Sequence, residues 1–443
     1  MHQELKYLTE KQLIILKKSK NFLKKQENFS PEISKSSFSY LCNFSQTIGY
    51  GILKTYNKKI NFFLLIWIFL KNFFFFYQET NFFFKKNIKK KKYKNIIISY
   101  LNKKDITKNN LIHDKYFNFS LKTQDTLWFS FYNDQKFPKK IPKNLFIFKY
   151  KKKITFLGIL KFIVNIFFFF ISIKKKIFFH SNESKYADTS FKYLKPFIHK
   201  KLKKILLVYE GQPFHNFIID NIKKNFFEYN IKTIGYVHPF PVGIATNYIY
   251  KSSSPDKIIV NGIDLKNFFL KYLGWPKKKI QVLESARFTK EDKKMSGFIY
   301  LPIHIGSVNF ILKQFIELTK FNKEILNYNF IIKNHPQSLK SKKHLKLIHE
   351  LKKLINKNYV STLENKISIF IGASGAVIEA LERNIKVFHI TINPELEMYN
   401  EFFFKNLKTI PINKFIFCYV LKKKKKLIIF GKKNKSFFKY LKI

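Results

Sequence analysis

The stretch that decides the fold is ISIFIGASGAVIEALERNIKVFHI, residues 367–390. Residues 369–371 form an apolar run that predicts a buried strand, and the pattern over Ala376–Glu382 predicts a helix. Lys386–Ile390 has the composition of a second strand. The stretch therefore predicts a βαβ unit, in which the small residues 372–375, the glycine turn, follow the carboxyl end of the first strand.

The glycine turn has the composition of an anion-binding site. Backbone N–H groups in such a turn can approach an anion closely, and the helix behind it adds the positive end of its dipole. Ser374 adds a hydroxyl, and Glu379, one turn into the helix, is placed to reach a ribose diol. A packing turn in any α/β protein would look the same, so this stretch alone leaves both interpretations open.

A second predicted strand and turn lie in residues 328–336, YNFIIKNHP. The strand runs into Lys333, His335 and Pro336, about 35 residues before the glycine turn, which is the length of one βαβ repeat. Both turns are therefore predicted at the same edge of a parallel sheet, where such sheets bind ligands. His335 can donate a hydrogen bond to a leaving phosphate, and Pro336 fixes the backbone beside it.

Together with Tyr209-Glu210-Gly211-Gln212-Pro213, these turns resemble GT-B glycosyltransferases of the HP-motif type, most closely surface-carbohydrate biosynthesis proteins with a Y-E-x-Q-P motif. Related enzymes are bacterial sialyl- and polysialyltransferases, capsule Kdo transferases and CDP-glycerol glycerophosphotransferases. The resemblance covers residues 95–412 and is firmest over 206–262 and 330–390. It implies an α/β fold with two Rossmann-like domains facing a cleft.

The resemblance also implies a donor site. A nucleotide-activated sugar, with a CMP-linked eight- or nine-carbon acid as the first expectation, would bind between the two turns. The histidine of the family contacts the CMP phosphate, and its serine region holds phosphate or cytidine. The donor-binding residues implied or predicted here are Lys333, His335, Pro336, Gly372, Ser374, Gly375 and Glu379. Polyol-phosphate transfer from a CDP-linked donor uses a comparable pocket and stays open as an alternative.

Glu210 is the predicted general base. It follows the clear apolar strand 203–209, so its carboxylate is expected at the cleft, and by resemblance it would deprotonate the acceptor hydroxyl. The related enzymes usually carry a longer acidic motif, whereas a single carboxylate stands here. A helix N-cap is the alternative role for Glu210, and His238, after the strand 233–237, is the competing base.

Two further residues are predicted in the cleft. Gln212 belongs to the same motif as the predicted base, and Arg287 follows the strand predicted to cross between domains. The chain has 84 Lys+Arg, of which two are arginine, so 84 − 2 gives 82 lysines. An arginine in so lysine-rich a chain suggests a need for its bidentate fork.

The charge balance is extreme, with 28 Asp+Glu and a formal net charge of +56. Sequence-specific nucleic-acid recognition favours arginine, so the composition argues against a specific nucleic-acid partner. Anionic membrane is the predicted surface partner, beside the nucleotide-sugar donor and a glycan or lipid-linked glycan acceptor. A non-catalytic basic protein that binds nucleic acid or lipid is the alternative from a different class.

Metal and redox chemistry have no signature in the sequence. Cys42 and Cys418 are too few and too far apart for a disulfide framework or a metal cluster. There is no Asp-x-Asp, no H-E-x-x-H and no phosphate-binding Walker motif. The sequence thus predicts a metal-independent glycosyltransferase without a cofactor, acting in capsule or lipopolysaccharide biosynthesis.

The predicted organisation has four parts. Residues 1–92 form a helical, membrane-associating extension, 93–285 an acceptor domain, 286–415 a donor domain and 416–443 a basic tail. The apolar segments 60–77 and 155–173 are each about long enough to cross a bilayer, but each carries a lysine. They are predicted as buried or interfacial segments, and the protein as cytoplasmic and peripheral at the inner face of the plasma membrane.

Overall fold

The computed structural model describes residues 2–29, 78–83, 92–102, 105–106, 113–117, 119–120, 125–132, 141–154, 160, 190–211, 213–289, 295–302, 305–335, 341–355, 367–422 and 426–431. The helices in these residues are α1 (His2–Phe29), α2 (Pro213–Asn225), α3 (Ile263–Lys271), α4 (Val308–Phe321), α5 (Lys342–Leu354), α6 (Ala376–Glu382) and α7 (Pro394–Glu397). The strands are β1 (Gln78–Phe83), β2 (Asn95–Leu101), β3 (His113–Asp114), β4 (Phe119–Ser120), β5 (Thr126–Tyr132), β6 (Leu145–Ile154), β7 (Lys204–Val208), β8 (Lys232–Tyr236), β9 (Lys257–Val260), β10 (Ile280–Val282), β11 (Ser285–Thr289), β12 (Phe298–Tyr300), β13 (Ile331–Lys333), β14 (Ile367–Ile371), β15 (Lys386–Ile390), β16 (Leu407–Pro411), β17 (Ile416–Leu421) and β18 (Phe430–Gly431).

The first sheet has eight strands in the order β1-β6-β5-β2-β7-β8-β9-β10. All neighbours from β6 to β10 are parallel, and β1 adds an antiparallel edge. All seven residues of β5 are buried, as expected for a parallel strand covered on both faces. Counted from β2, the parallel strands run 3-2-1-4-5-6-7, which begins with the doubly wound Rossmann order.

This strand order places a topological switch point between β2 and β7. The chain leaves β2 toward β5 on one side, and β7 opens the series on the other side. Ligands of open α/β sheets bind in the crevice at the carboxyl ends of such strands. The residues that follow β7, Tyr209 and Glu210, therefore lie where this fold binds ligands.

The second sheet has six strands in the order β13-β12-β14-β15-β17-β16. Its first four strands are parallel, and β17 and β16 extend it as antiparallel strands. The parallel part runs 2-1-3-4, so its switch point lies between β12 and β14. The glycine turn follows β14 directly and therefore lies at this switch point.

A continuous apolar core joins the two sheets. It includes Ile205 and Ile258 of the first sheet and Phe370 and Val387 of the second. The predicted mixed α/β class with Rossmann-like parallel sheets is confirmed. The GT-B arrangement of two domains on either side of a cleft stays a prediction.

Helix α1 packs into this core. Its buried face includes Leu8, Ile15 and Leu16. The buried Gln12 donates from Nε2 to the Met398 carbonyl at 3.1 Å and accepts from Asn400 Nδ2 at 3.0 Å. This apolar face is therefore covered by the protein and does not face a membrane.

The assignment of residues 416–443 to a basic tail was wrong at its start. The strand β17 lies between β15 and β16, with Phe417 and Tyr419 in the core. Residues 426–431 also pack back on the fold, because Ile429 N donates to the Asn261 carbonyl and β18 pairs with β11. The helical assignment of residues 1–92 likewise needs correction, since β1 pairs with β6.

The two long apolar segments fall outside this description. Residues 60–77 and, except for Leu160, 155–173 are not among the described residues. No described helix is long and apolar enough to cross a membrane.

Candidate active site

The backbone at Glu210 is fixed from two sides. Asn247 Nδ2 donates to the Glu210 carbonyl at 2.5 Å, and Asn216 Nδ2 donates to the Gly211 carbonyl at 3.4 Å. Gly211 has a φ of +64°, and a Cβ there would lie 2.2 Å from the Asn247 carbonyl oxygen. Only glycine suits this position, which explains the glycine that follows the acidic residue of the motif.

The carboxylate of Glu210 lies beside His238. Glu210 Oε1 is 3.6 Å from His238 Nε2, and 33% of the Glu210 side chain is exposed against 3% for His238. Burial, with smaller contributions from Arg287, His215 and Lys115, lowers the pKa of His238 well below its usual value. The imidazole is therefore neutral near pH 7, and the nearby carboxylate favours the tautomer with its hydrogen on Nε2. The buried Nδ1 of His238 has no hydrogen-bond partner among the described residues.

His215 joins the strand ends on both sides of the first switch point. Its Nδ1 accepts from the Glu210 backbone N–H at 3.4 Å, and its Nε2 lies 3.0 Å from the Tyr100 hydroxyl at the end of β2. Burial lowers the pKa of His215 to about 3, so the ring is neutral. With Nδ1 accepting, the hydrogen is on Nε2 and is donated to Tyr100. His215 belongs to no motif in the sequence and was not predicted as a site residue.

Tyr116 contacts two of the predicted acceptor-side residues, His238 and Arg287. Its ring packs edge-to-face on His238 at 4.7 Å, and the Arg287 guanidinium lies 5.8 Å from its centroid. Burial raises the pKa of Tyr116, with Glu210 contributing in the same direction. The Tyr116 backbone N–H donates to Asp114 Oδ1 at 2.8 Å, which fixes the loop that carries it.

The glycine turn is held by hydrogen bonds to its carbonyl groups. His389 Nε2 lies 2.8 Å from the Gly372 carbonyl, and the Tyr399 hydroxyl donates to the Ser374 carbonyl at 3.0 Å. Burial lowers the pKa of His389 to about 4, so this ring is neutral and donates from Nε2. Ser374 Oγ accepts from the Ala376 N–H at 3.3 Å, which leaves its own hydrogen to be donated.

Gly372 is required by its conformation and its packing. Its φ is +66°, and a Cβ would lie 3.0 Å from Pro302 Cβ, in the loop after β12. This contact confirms that β12 and β14 end at the same edge of the sheet. No motif in the sequence pointed to this loop as part of the site.

Glu379 has a partner inside the protein. It is buried in α6, and its Oε1 lies 3.4 Å from Arg383 Nη2. Arg383 Nη2 also donates to the Thr289 carbonyl at 3.1 Å. Glu379 therefore forms an ion pair within the protein, and its contact with a ribose diol stays a prediction.

The turn after β13, which carries Lys333 and His335, lies two strands from the glycine turn. Lys333 pairs in register with Tyr300 of β12, and its Nζ lies 3.3 Å from the Phe298 ring centroid. His335 follows at the same edge and is half-buried. With β12 between them, the ends of β13 and β14 are roughly 10 Å apart. Pro336 and Gln212 lie outside the described residues.

The two switch points meet through backbone packing. A Cβ on Gly375 would lie 2.4 Å from the Phe240 carbonyl oxygen and 3.7 Å from Pro239 Cβ. The glycine turn of the second sheet thus touches the loop that begins at His238 in the first sheet. The candidate donor and acceptor residues, predicted from separate motifs, are therefore close in space.

No protein-family model and no curated protein matches this chain. A solved structure to which it is similar is a glycosyltransferase from Rickettsia africae ESF-5, with 12% sequence identity, a TM-score of 0.30 and coverage of 68% of this chain and 86% of that chain. A similarity of this size does not establish a shared fold. Among the described residues, no group of three or more His, Cys, Asp or Glu side chains could hold a metal ion.

Proposed function

We propose that this protein is a glycosyltransferase that transfers a sugar from a nucleotide-activated donor to a glycan. The observation that carries the proposal is the contact of Gly375 with Phe240. It sets a small-residue turn suited to phosphate beside a carboxylate–histidine pair, and each group lies at the switch point of its own parallel sheet. A transfer reaction needs this juxtaposition of a leaving phosphate and a base.

Glu210 is the proposed general base. One third of its side chain is exposed, so an acceptor hydroxyl can reach it, whereas the nitrogens of His238 are buried. The hydroxyl proton passes to Glu210, the hydroxyl oxygen bonds to the anomeric carbon, and the bond from that carbon to the donor phosphate oxygen breaks. His238 positions the carboxylate, and protonation of Glu210 leaves a neutral pair.

The leaving phosphate is proposed to bind at the glycine turn. Ser374 Oγ–H and His335 would donate hydrogen bonds to it, and Lys333 would add a positive charge at the same edge. These groups stabilise the charge that develops as the donor bond breaks. The reaction would then need no divalent cation, and chelation with EDTA would leave the rate unchanged.

The donor and the acceptor follow from the sequence analysis. A CMP-linked acidic sugar is the preferred donor, and a growing cell-surface polysaccharide at the inner face of the membrane is the proposed acceptor. A CDP-linked polyol phosphate is the alternative. Thermal shift with CMP-, CDP- and UDP-linked donors separates these possibilities, since a bound donor raises the melting temperature by mass action. Protection by UDP-sugars alone would refute the cytidine preference.

The test of the proposed function pairs a base variant with a donor-side variant. We expect Glu210→Gln to lower the transfer rate ~10²- to 10⁴-fold while donor binding is retained, because only proton transfer is lost. We expect His335→Ala to lower turnover ~10²-fold or more. The matched control is Glu228→Gln, at an exposed position before β8. Wild-type rates in both the Glu210 and the His335 variants would refute the proposal.

A further inference from the structure

The two arginines of the chain have different surroundings. Arg383 is tied to the protein by Glu379 at 3.4 Å and by the Thr289 carbonyl at 3.1 Å. Arg287 lies against the rings of Tyr116 and Phe288, with its guanidinium carbon 5.8 Å and 5.4 Å from their centroids. Among the described residues, no carboxylate lies within 4.0 Å of an Arg287 nitrogen, and the contacts of its guanidinium in this part of the chain are with the two aromatic rings.

Arg287 lies on the same side of the site as the proposed base. Its guanidinium is 5.8 Å from the centroid of the Tyr116 ring, that ring packs on His238 at 4.7 Å, and His238 Nε2 is 3.6 Å from Glu210 Oε1. The Tyr236 hydroxyl accepts from the Ala286 N–H at 2.9 Å, which fixes the backbone of β11 next to Arg287. An acceptor that presents a hydroxyl to Glu210 would therefore pass close to a half-buried guanidinium.

We infer that the acceptor carries an oxyanion, a carboxylate or a phosphate, that binds to Arg287. The inference rests on the proposed function and adds the chemical class of its acceptor. A guanidinium offers a planar pair of N–H donors that match a carboxylate or phosphate, which an ammonium does not. Packing against Tyr116 and Phe288 limits the orientations of this fork before the anion arrives.

The placement of Arg287 assigns the anion to the acceptor and not to the donor phosphate. Arg287 lies on the first sheet's side of the site with Tyr116 and His238. The glycine turn, where the donor phosphate is proposed, has Ser374 and the nearby Lys333 and His335 for its own charge. Two oxyanions on neighbouring subsites would then be held by separate groups.

The experiment measures binding of small probes without donor or turnover. The probes are methyl β-glucuronide and methyl β-glucoside, which differ by one carboxylate, and glycerol 3-phosphate with glycerol as its neutral counterpart. Titrations by NMR would compare the wild type with Arg287→Gln, Arg287→Lys and Lys278→Ala. Lys278 is the control for net charge, because it is exposed and the turn Lys277–Lys279 precedes β10, so it lies at the opposite edge of the first sheet.

We expect Arg287→Gln to weaken binding of the charged probes about tenfold to a hundredfold, the scale of a hydrogen bond to a charged group. Arg287→Lys should recover part of this loss, and Lys278→Ala should bind like the wild type. The preferred probe tells whether the anion is a carboxylate or a phosphate. Equal binding of charged and neutral probes, unchanged binding in Arg287→Gln, or no binding of either anion would overturn the inference.

The anionic-acceptor inference and the transferase proposal can each fail without the other. Anion binding through Arg287 in a protein that transfers no sugar would refute the transferase alone. Sugar transfer to neutral and acidic acceptors at equal KM, insensitive to Arg287→Lys, would refute the anionic acceptor alone.

Discussion

At the scale of single residues, glycine serves this site in more than one way. Gly211 and Gly372 adopt positive φ angles, whereas Gly375 has a φ of −66° and is constrained by its neighbour. Its hydrogen faces the Phe240 carbonyl, where a methyl group would be 2.4 Å from the oxygen. The position is therefore restricted by the packing of the two sheets against each other.

We expect Gly375→Ala to lower the free energy of unfolding by about 1–3 kcal/mol, because the added methyl group overpacks a backbone contact. Urea unfolding followed by circular dichroism measures this change. Gly306→Ala is the matched control, since no atom of the described residues, apart from the two chain neighbours, lies within 4 Å of its added Cβ. A Gly375→Ala protein as stable as Gly306→Ala would show that the two turns are not in contact.

The buried carboxyl group of Glu397 makes the free energy of unfolding depend on pH, and this effect can be tested independently of the proposed function. It is buried, its Oε2 accepts from the Ile392 N–H at 2.7 Å, and burial raises its pKa from 4.5 to about 7. The folded chain thus binds this proton more tightly than the unfolded chain. Its stabilising contribution is full below pH 4.5 and is lost as the pH rises through 7.

We expect the wild type to lose about 3 kcal/mol of unfolding free energy between pH 4.5 and 8 from this group, as 1.36 kcal/mol per pKa unit implies. Glu397→Gln should remove that part of the slope, because the amide cannot ionise. Urea titrations of both proteins across this pH range give the difference. Parallel pH profiles of the two proteins would contradict the assignment.

At the scale of elements, the hydrophobic pattern of the sequence correctly predicted helices and strands that have a clear pattern of their own. The helix over Ala376–Glu382 and the strand over Lys386–Ile390 have the predicted bounds. The strand β17 was missed because the lysine run that follows it dominates the composition there. A strand inside a sheet needs only five or six apolar residues, and Ile416–Leu421 supplies them.

The same limit applies to the candidate site residues, whose places along the chain and whose positions in space have to be considered separately. The places of Glu210, His238 and Ser374 at strand ends could be predicted, because each follows an apolar strand in a parallel sheet. Their mutual positions could not, since strand periodicity does not encode which strands are neighbours. Tyr116 and His215 carry no local signal, and their roles depend on contacts far away in the sequence. The internal pairing of Glu379 with Arg383 was likewise hidden, although the two are one helical turn apart.

Helix α1 offers a test at this scale. We expect Gln12→Ala to lower the unfolding free energy by about 1–3 kcal/mol, because the buried Met398 carbonyl would lose its side-chain donor and Asn400 Nδ2 would keep only its bond to Thr9 Oγ1. Lys17→Ala, on the exposed face of the same helix, should stay within about 0.5 kcal/mol of the wild type. Urea unfolding of the two variants measures both values. Equal stabilities would mean that the helix does not dock as described.

At the scale of the whole molecule, the net charge of +56 affects every encounter with an anionic surface. We expect the protein to bind vesicles with anionic lipid and not neutral ones, since each lysine near the surface adds about 1 kcal/mol. Cosedimentation at low and high salt measures this binding, which should fall as salt screens the charges. Salt-resistant binding to neutral vesicles would contradict a peripheral association.

The same positive charge would also suit the alternative function, a non-catalytic protein that binds nucleic acid. Such a protein would lose affinity steeply with salt and would tolerate changes at His335 and Ser374. A gel-shift assay with duplex DNA at physiological salt tests this directly. Tight duplex binding together with no nucleotide-sugar binding would favour the rival over the transferase.

The hydrogen bond between Gln12 and Asn400 spans 388 residues of sequence. At 5–20 residues per second, a ribosome needs about 20 to 80 seconds to make that length of chain. During this interval α1 has been synthesised, but residues 394–400, against which it docks, have not. The helix therefore lacks these native contacts through most of translation, and a chaperone that binds exposed apolar surface would shield it during that time.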